Sequence, residues 1–202
     1  MGVVTVRDLV ESVKVSEVVA AEASRERLEQ LAHMVHSKKL LVNQVDASSP
    51  KSLVEAMKEV DVVANALPFH LNIPVMKAAM RAGKNLADLG GVYHTTRRQL
   101  KLDKAAKKAG IAIVLGCGLA PGTTDLLAAY GAEKLDSVDE VHIRYADRNL
   151  EPARYKWAFR TVLEEYTKGP IVYRNGKFEQ LPPFSGKQVF EFPEPLGECT
   201  CC

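Results

Sequence analysis

Three short strings decide how this chain folds: Asn65-Ala66-Leu67-Pro68, Asp88-Leu89-Gly90-Gly91 and Gly116-Cys117-Gly118-Leu119-Ala120-Pro121-Gly122. Each string follows an apolar run, and each is followed by a segment with helical character. In an open parallel sheet, ligands bind in the crevice at the carboxyl ends of the strands. Glycine at such ends lets the backbone approach a ligand closely. The strings therefore predict one nucleotide-binding pocket at one edge of a parallel sheet.

Apolar spacing predicts strands that alternate with helices through the first 120 residues. The predicted strands are 17–21, 40–45, 61–66, 85–89 and 111–115, and the predicted helices are 3–13, 24–36, 50–59, 71–82 and 96–109. Ser24 is the expected N-cap of the second helix, and Pro50 stands at the first position of the third. This alternation is typical of α/β proteins with a doubly wound parallel sheet. We expect a Rossmann-type domain at 1–120 that lacks its first strand.

After Pro121 the alternation of strands and helices stops, and the pattern predicts part of a second, α+β domain at 121–202. Helices are expected at 123–134 and 155–166, and a strand is expected at 138–145. Asn175-Gly176 lies between two apolar runs and predicts a tight hairpin. The proline-rich segment after Leu181 is expected to be a loop.

Composition limits the possible partners and compartments. A net charge of +2 gives no argument for nucleic acid or membrane, so we expect a small-molecule substrate. No apolar stretch reaches the ~20 residues that span a bilayer, and no signal-peptide pattern is present, so a cytoplasmic protein is expected. Cys117 is expected to be a packed residue. The cysteines at 199, 201 and 202 indicate a frayed end rather than a metal site, so no metal is predicted.

Several residues are candidates for binding a dinucleotide. Gly2 directly precedes the first helix, in the place of the third glycine of a G-x-G-x-x-G fingerprint. Glu22 lies 20 residues further on, where a carboxylate takes the adenosine ribose hydroxyls. The negative charge of Glu22 would repel a 2′-phosphate and so favours NAD over NADP, although the nearby Arg25 weakens this preference. The remaining cofactor candidates lie at strand ends or in the glycine-rich loops: Asp46, Asn65, Ala66, Leu67, Pro68, Gly90, Pro121 and Gly122.

Proton transfer needs a titratable group near the strand ends. His94 follows the second string, and a histidine that titrates near neutrality can take the proton of an amine. His70 is the competing candidate, and either histidine could instead be a surface residue at a helix start. Asp88 is a third catalytic candidate that could instead cap the segment after it. Gly91, Thr123 and Arg144 are the candidates for binding a substrate with an α-carboxylate.

At these strings the chain resembles the saccharopine dehydrogenase-like superfamily, and most closely its lysine 6-dehydrogenase branch. The matching stretches cover most of the chain: 36–40, 45–47, 61–67, 88–91 with His94, 118–122, 130–132 and 174–177. The resemblance implies a Rossmann domain, a mixed catalytic and dimerisation domain, a homodimer, and NAD-linked oxidation of an amine. Lysine deamination at the ε-amine is the leading hypothesis, and saccharopine cleavage or formation is its sister.

Two departures from the family pattern shape these expectations. The first strand and the first two glycines of the fingerprint are missing ahead of Gly2. In addition, Gly116 stands where relatives often carry aspartate. We therefore expect a fragment at both ends that binds little NAD by itself. A non-catalytic remnant or interaction module is the alternative from another functional class.

Overall fold

The protein, described here by a computed structural model over residues 2–146 and 159–201, divides into two units, Met1–Gly122 and Thr123–Cys202. The first unit alternates helices with strands. Its helices are α1 Gly2–Glu11, α2 Arg25–Met34, α3 Pro50–Met57, α4 Asn72–Ala82, α5 Tyr93–Leu100 and α6 Asp103–Lys108, with a 3₁₀ turn at Phe69–Leu71. Its strands are β1 Val18–Glu22, β2 Leu40–Gln44, β3 Val62–Asn65, β4 Asn85–Asp88 and β5 Ile113–Val114. The predicted α/β class is confirmed.

The strands of the first unit are parallel, but they form two hydrogen-bonded pieces. β1 pairs with β2, from Val18 opposite Leu40 to Glu22 opposite Gln44. β4 lies between β3 and β5 in the second piece. Among the described residues no ladder joins β1 to β3, so the expected sheet is divided at the place of the central first strand that the sequence was expected to lack. The parallel direction was predicted correctly.

The core of the first unit lies between α3, α4 and the strands. Its buried side chains are Val45, Leu53, Met57, Val75, Met76, Ala78, Ala79 and Leu86. In α4 the spacing of Val75, Ala78 and Ala79 places all three on one face of the helix. Burial of a side chain as large as Leu86 contributes about 1.5–3 kcal/mol. This core fixes α4 against β3 and β4, and so fixes the loops at their carboxyl ends.

Local signals in the sequence explain where several helices start and stop. The Ser24 hydroxyl accepts from the Arg27 N–H at 3.3 Å, as predicted for the N-cap of α2. Ser49 caps α3 in the same way, at 3.3 Å from the Ser52 N–H, with Pro50 at the first helical position. Caps of this kind contribute about 1 kcal/mol each. The helix predicted at 96–109 is divided into α5 and α6, and β5 is shorter than the predicted strand.

The second unit contains α7 Thr123–Ala132, α8 Phe159–Thr167 and two antiparallel hairpins. The predicted hairpin is confirmed as β6 Ile171–Arg174 with β7 Lys177–Gln180, and its turn holds Asn175 and Gly176 at φ 49° and 78°. The strand predicted at 138–145 is wrong, because these residues adopt no regular structure. The first residues of the helix predicted at 155–166 lie outside the described residues.

The end of the chain also differs from its prediction. β8 Gln188–Phe192 and β9 Gly197–Cys201 form a hairpin where a proline-rich loop and a frayed end were expected. The rings of Phe190 and Phe192 lie 4.9 Å apart and stabilise the strand that carries them. Cys199 and Cys201 therefore belong to a strand. Pro193 and Pro195 lie in the connection between the two strands, where proline costs no ladder hydrogen bond.

Within residues 2–146 and 159–201, no helix has both the length and the apolar character needed to cross a bilayer.

Candidate functional site

A pocket of about 290 Å³ lies at the carboxyl ends of β1, β2 and β3. Glu22 and Asp46 reach it from the ends of β1 and β2. Leu67 and His70 reach it from the segment that follows β3. The pocket therefore brings together residues that the sequence placed at three separate strand ends, as expected for an open parallel sheet.

Glu22 lies among donors and cations at the rim of this pocket. Its Oε1 accepts from the Ser24 N–H at 3.0 Å, and its Oε2 lies 3.9 Å from Nη1 of Arg27. Arg25 is exposed and donates to Glu29 at 3.1 Å. The first turn of α2 thus carries two guanidinium groups and the Glu26 carboxylate close to Glu22. From the sequence, Arg25 was considered near the ribose site, but Arg27 was not. The first turn of α2 places Arg27 close to Glu22 at the end of β1.

Asp46 is held by its own loop. Its Oδ1 accepts from the Ser48 hydroxyl at 2.7 Å and from the Ser48 N–H at 2.8 Å. These two bonds, the hydroxyl bond first, lower the pKa of Asp46 below its ordinary value. Asp46 therefore presents an ionised carboxylate to the pocket that Glu22 also lines.

The start of α1 lies beside the end of β3. A Cβ added to Gly2 would lie 3.9 Å from the Cβ of Ala66, which is ordinary van der Waals contact. The helix N-terminus and the Asn65-to-Pro68 string, both predicted to bind the cofactor, are thus neighbours. The N-terminus of a helix attracts an anion such as phosphate, because its backbone N–H groups and its dipole point towards it.

The glycine-rich strings at the ends of β4 and β5 pack against each other. A Cβ on Gly90 would lie 3.1 Å from the Cα of Gly116, and Pro121 lies 3.8 Å from the same position. A Cβ on Gly91 would lie 2.6 Å from the Cβ of Phe69, so the backbone there also approaches the segment after β3. The loops after β3, β4 and β5 are therefore in direct contact, as the prediction of one pocket edge requires.

Asn65 and Asp88 lie below the surface at the ends of β3 and β4. Asp88 is 1% exposed, and its Oδ1 accepts from the Gly90 N–H at 2.8 Å. This geometry matches the capping role that the sequence left open beside proton transfer. Asn65 is 5% exposed, and its Oδ1 accepts from the Leu67 N–H at 3.1 Å. Both side chains hold the loops that directly follow them.

The two candidate histidines lie in different places. His70 lines the pocket with Glu22 and Asp46. His94 is exposed in the first turn of α5, with its ring 5.5 Å from that of Tyr93. His94 does not line the pocket that contains His70. The structure therefore separates the two candidates that the sequence considered together.

The remaining substrate candidates belong to the second unit. Thr123 begins α7. The Arg144 guanidinium lies 4.8 Å from the ring centroid of Phe190 and donates to the Gln188 side chain at 3.1 Å. Arg144 therefore holds the chain against β8, a contact that could not be predicted while residues 188–192 were expected to be loop. In the described parts of the chain, no three His, Cys, Asp or Glu side chains gather as metal ligands.

Comparison with known proteins identifies the family. Residues 1–114 match the model of the saccharopine dehydrogenase NADP-binding domain. The chain belongs to this family. The predicted superfamily and the Rossmann-type fold are confirmed, and a nicotinamide dinucleotide is supported as the cofactor. The family description names NADP, and this argues against the preference for NAD that was predicted from Glu22.

Two relatives of this member of the saccharopine dehydrogenase family share just over a quarter of the aligned residues with it. The chain is 28% identical over 172 residues to carboxynorspermidine synthase from Vibrio alginolyticus, covering 78% of this chain and 42% of the relative. It is 26% identical over 168 residues to saccharopine dehydrogenase (NADP(+), L-glutamate-forming) from Schizosaccharomyces pombe, covering 75% and 35%. The chain thus spans less than half the length of these curated relatives.

A solved structure agrees with the family assignment at the level of the fold. Apo saccharopine dehydrogenase (L-Glu forming) from Saccharomyces cerevisiae superposes with a TM-score of 0.64 at 20% identity. The match covers 98% of this chain and 46% of that protein.

Proposed function

We propose that this protein is the nucleotide-binding part of an oxidoreductase that moves a hydride between a nicotinamide dinucleotide and the carbon next to an amino-acid nitrogen. The pocket at the ends of β1, β2 and β3, with Glu22 and Asp46 on its lining, carries this proposal. Dinucleotides bind at this position in doubly wound sheets. The bound cofactor supplies the hydride acceptor or donor, and the chain supplies binding and orientation.

The described residues offer a suitable partner for each part of the cofactor. Glu22 and Asp46 face the pocket and suit ribose hydroxyls, because ionised carboxylates accept hydrogen bonds. The start of α1 at Gly2 suits the pyrophosphate. The loops that contain Asn65, Gly90 and Pro121 suit the nicotinamide half, since they form the neighbouring strand ends. The geometry supports a dinucleotide rather than a mononucleotide, because these groups extend across several strand ends.

For the choice of cofactor we favour NADP(H). Arg25 and Arg27 lie in the first turn of α2, and Arg27 is only 3.9 Å from the Glu22 carboxylate. A 2′-phosphate needs such cations, whereas a lone carboxylate would repel it. The NADP wording of the matching family supports the same choice. NAD, selected by Glu22, is the alternative.

Calorimetric titration with NADPH and NADH tests this choice. We expect NADPH to bind more tightly, and Arg27→Ala to weaken NADPH about tenfold while NADH changes little, since one charged contact to phosphate is lost. Lys58→Ala, which removes an exposed cation paired with Glu55, is the control. If NADH binds more tightly and Glu22→Ala narrows the gap, Glu22 selects NAD. No binding of either cofactor at millimolar concentration would contradict the proposed function.

The substrate we propose is a secondary amine of the saccharopine type. The named relatives are a saccharopine dehydrogenase and a carboxynorspermidine synthase, and this supports a C–NH–C bond more than the primary ε-amine of lysine. In the oxidative direction the bound cofactor would accept the hydride of the C–H bond, a base of the chain would take the proton from the nitrogen, and water would hydrolyse the imine. His94 and His70 remain the candidate bases, each also open to a surface role.

An absorbance assay at the reduced-nicotinamide band separates the possible substrates. When this part acts within a complete enzyme, we expect saccharopine to give reduced cofactor and L-lysine to give none; the opposite result would support lysine 6-dehydrogenase. His94→Asn and His70→Asn then assign the base, because only the catalytic variant should lose turnover while it keeps cofactor affinity. Cofactor binding without turnover on either amine would favour a non-catalytic module.

We further propose that the chain forms a homodimer. Large apolar side chains are exposed in the second unit, including Leu126, Leu127 and Tyr130 on α7. Exposed apolar groups in one helix are typical of a contact surface. Light scattering coupled to gel filtration should give twice the chain mass; a monomer at all concentrations would contradict it.

A further inference from the structure

The Asp88 carboxylate is surrounded by three hydrogen-bond donors. Its Oδ1 accepts from the Gly90 N–H at 2.8 Å and from the Gly116 N–H at 3.0 Å. Its Oδ2 accepts from Nε2 of Gln99 at 2.6 Å. Asp88 and Gln99 are each 1% exposed. The two carboxylate oxygens thus accept hydrogen bonds from all three donors.

The two glycines belong to different loops. Gly90 follows β4, and Gly116 follows β5, so one side chain links the carboxyl ends of neighbouring strands. The backbone beyond Asp88 is also tied down, since the Cys117 N–H donates to the Asp88 carbonyl at 2.7 Å. Neither loop contains a helix or strand that could hold it by itself. The shared carboxylate, together with the bond from Cys117, therefore joins the two loops.

A second buried pair extends the link to the loop after β3. Asn65 Nδ2 donates to Asn72 Oδ1 at 3.0 Å, and Asn72 Nδ2 donates to the Gly90 carbonyl at 3.0 Å. Gly90 is thus held by its N–H through Asp88 and by its carbonyl through Asn72. The two asparagines and Asp88 join the loops after β3, β4 and β5 in one buried network.

We propose that Asp88 is a positioning residue: held by Gln99, it sets the spacing of the loops after β4 and β5, and it transfers no proton in the reaction. Gln99 lies on α5, the helix that also carries the exposed His94, so the network fixes this helix to the strand ends. The consequence for cofactor binding rests on the proposed function, whereas the anchoring itself does not. His94 and His70 are left as the candidate bases.

The unpaired oxygen of Gln99 provides a discriminating variant. In the described structure Oε1 of Gln99 is buried and accepts no hydrogen bond. In Asp88→Asn, the new side-chain oxygen still accepts from Gly90 and Gly116. Rotation of the Gln99 amide then lets Oε1 accept from the new NH₂ group. Asp88→Asn therefore keeps the anchor but removes any capacity for proton transfer, while Asp88→Ala removes both.

Amide hydrogen exchange of the 202-residue chain, read by NMR, tests the anchoring. We expect the Gly90 and Gly116 amides to exchange about tenfold faster or more in Asp88→Ala, because their acceptor is lost, and to stay near wild type in Asp88→Asn. The amide of Ala79, in the core of α4, should not change in either variant. Unchanged exchange in Asp88→Ala, or equally fast exchange in both variants, would overturn the proposal.

Two further measurements keep the test decisive. If Asp88→Ala does not fold, Gln99→Leu removes the amide that holds the Asp88 carboxylate, both its Nε2 donor and its unpaired Oε1, and should still accelerate exchange at Gly90 and Gly116; no acceleration would overturn the proposal. NADPH titration should show affinity lost in Asp88→Ala and kept in Asp88→Asn, and loss in both would overturn the assigned role. If the unsubstituted chain binds no cofactor, the proposed function fails, and the exchange data alone still decide the anchoring.

Discussion

At the scale of single residues, Gly122 shows how tightly the loop after β5 is closed. A Cβ at this position would clash with the Gly118 carbonyl oxygen and lie 2.5 Å from that of Gly116, and the residue has φ 111°. Gly110 has φ 69°, and a Cβ added there would meet no other atom within 4 Å. A substitution at Gly110 therefore tests positive φ alone, whereas one at Gly122 tests positive φ together with close contact.

We expect Gly110→Ala to destabilise the protein by about 1–2 kcal/mol, the usual penalty for an L-residue with positive φ. Gly122→Ala should cost more, because the loop must also move to relieve the contacts with the two carbonyl oxygens. Urea unfolding of both variants measures the difference. Equal losses would show that the loop opens without cost.

Asp46 is the other residue whose behaviour follows from its immediate neighbours. Hydrogen bonds from Ser48 lower its pKa below 3.8, so its ionised form is favoured in the folded chain. A depressed folded pKa contributes stability that is present above the unfolded value and is lost as the pH falls through the folded value. The affected window therefore lies at and below about pH 4.

We expect Ser48→Ala to raise the pKa of Asp46 towards 3.8, because the hydroxyl bond is the largest of the causes that lower it. Carboxyl ¹³C shifts followed from about pH 2 to pH 6 measure the change. Ser52→Ala leaves the Ser48 hydroxyl in place and is the control. An unshifted titration in Ser48→Ala would assign the effect to the backbone N–H alone.

At the scale of elements, β1 and β4 differ in how many neighbours they have. β4 lies between β3 and β5, whereas β1 pairs only with β2 in the described chain. The Val18 N–H donates to Lys39, and the Glu22 carbonyl accepts from Val45, so alternate residues of β1 face β2. The backbone groups of Val19 and Ala21 point to the opposite edge, because parallel strands alternate in this way.

Hydrogen exchange should reveal this asymmetry. We expect the amides of Val19 and Ala21 to exchange faster than those of Val18 and Ala20 by at least about tenfold, because they have no ladder acceptor. In β4, Leu86 and Ala87 should be protected alike, and they are the internal control. Equal protection along β1 would mean that its second edge is covered in solution.

At the scale of the whole molecule, the two units differ in how much they bury. Among the described residues, every buried side chain lies between Val18 and Ala106, in the first unit. The second unit exposes large apolar groups on α7, α8 and both hairpins. Because few buried contacts oppose its opening, local unfolding should begin there.

Limited proteolysis of dilute protein, followed by mass spectrometry, checks this expectation. We expect chymotrypsin to cleave first at the exposed aromatic residues of the second unit, including Tyr130 and Tyr166, and to leave a resistant fragment that ends near residue 122. Raising the protein concentration should slow this cleavage if a second copy covers the unit. Early cleavage within 18–106 would contradict the expectation.

The features that the sequence by itself determined are those that depend on local chemistry. The alternation of strands and helices, the caps at Ser24 and Ser49, and the Asn175-Gly176 turn depend on residues within a few positions of one another. Such signals act before any packing, so they survive in the folded protein. The shared edge of Glu22, Asn65 and Asp88 followed from parallel strands, since their carboxyl ends must point the same way.

Only the tertiary structure decided which side chains meet across larger separations. Gln99 reaches Asp88 from a helix eleven residues away, and Gly116 reaches it from 28 residues away. No periodicity encodes those contacts, because they depend on how α5 and β5 pack against β4. The position of His70 beside Glu22 has the same origin. Local sequence specifies which elements form, whereas the packing of those elements decides which side chains meet.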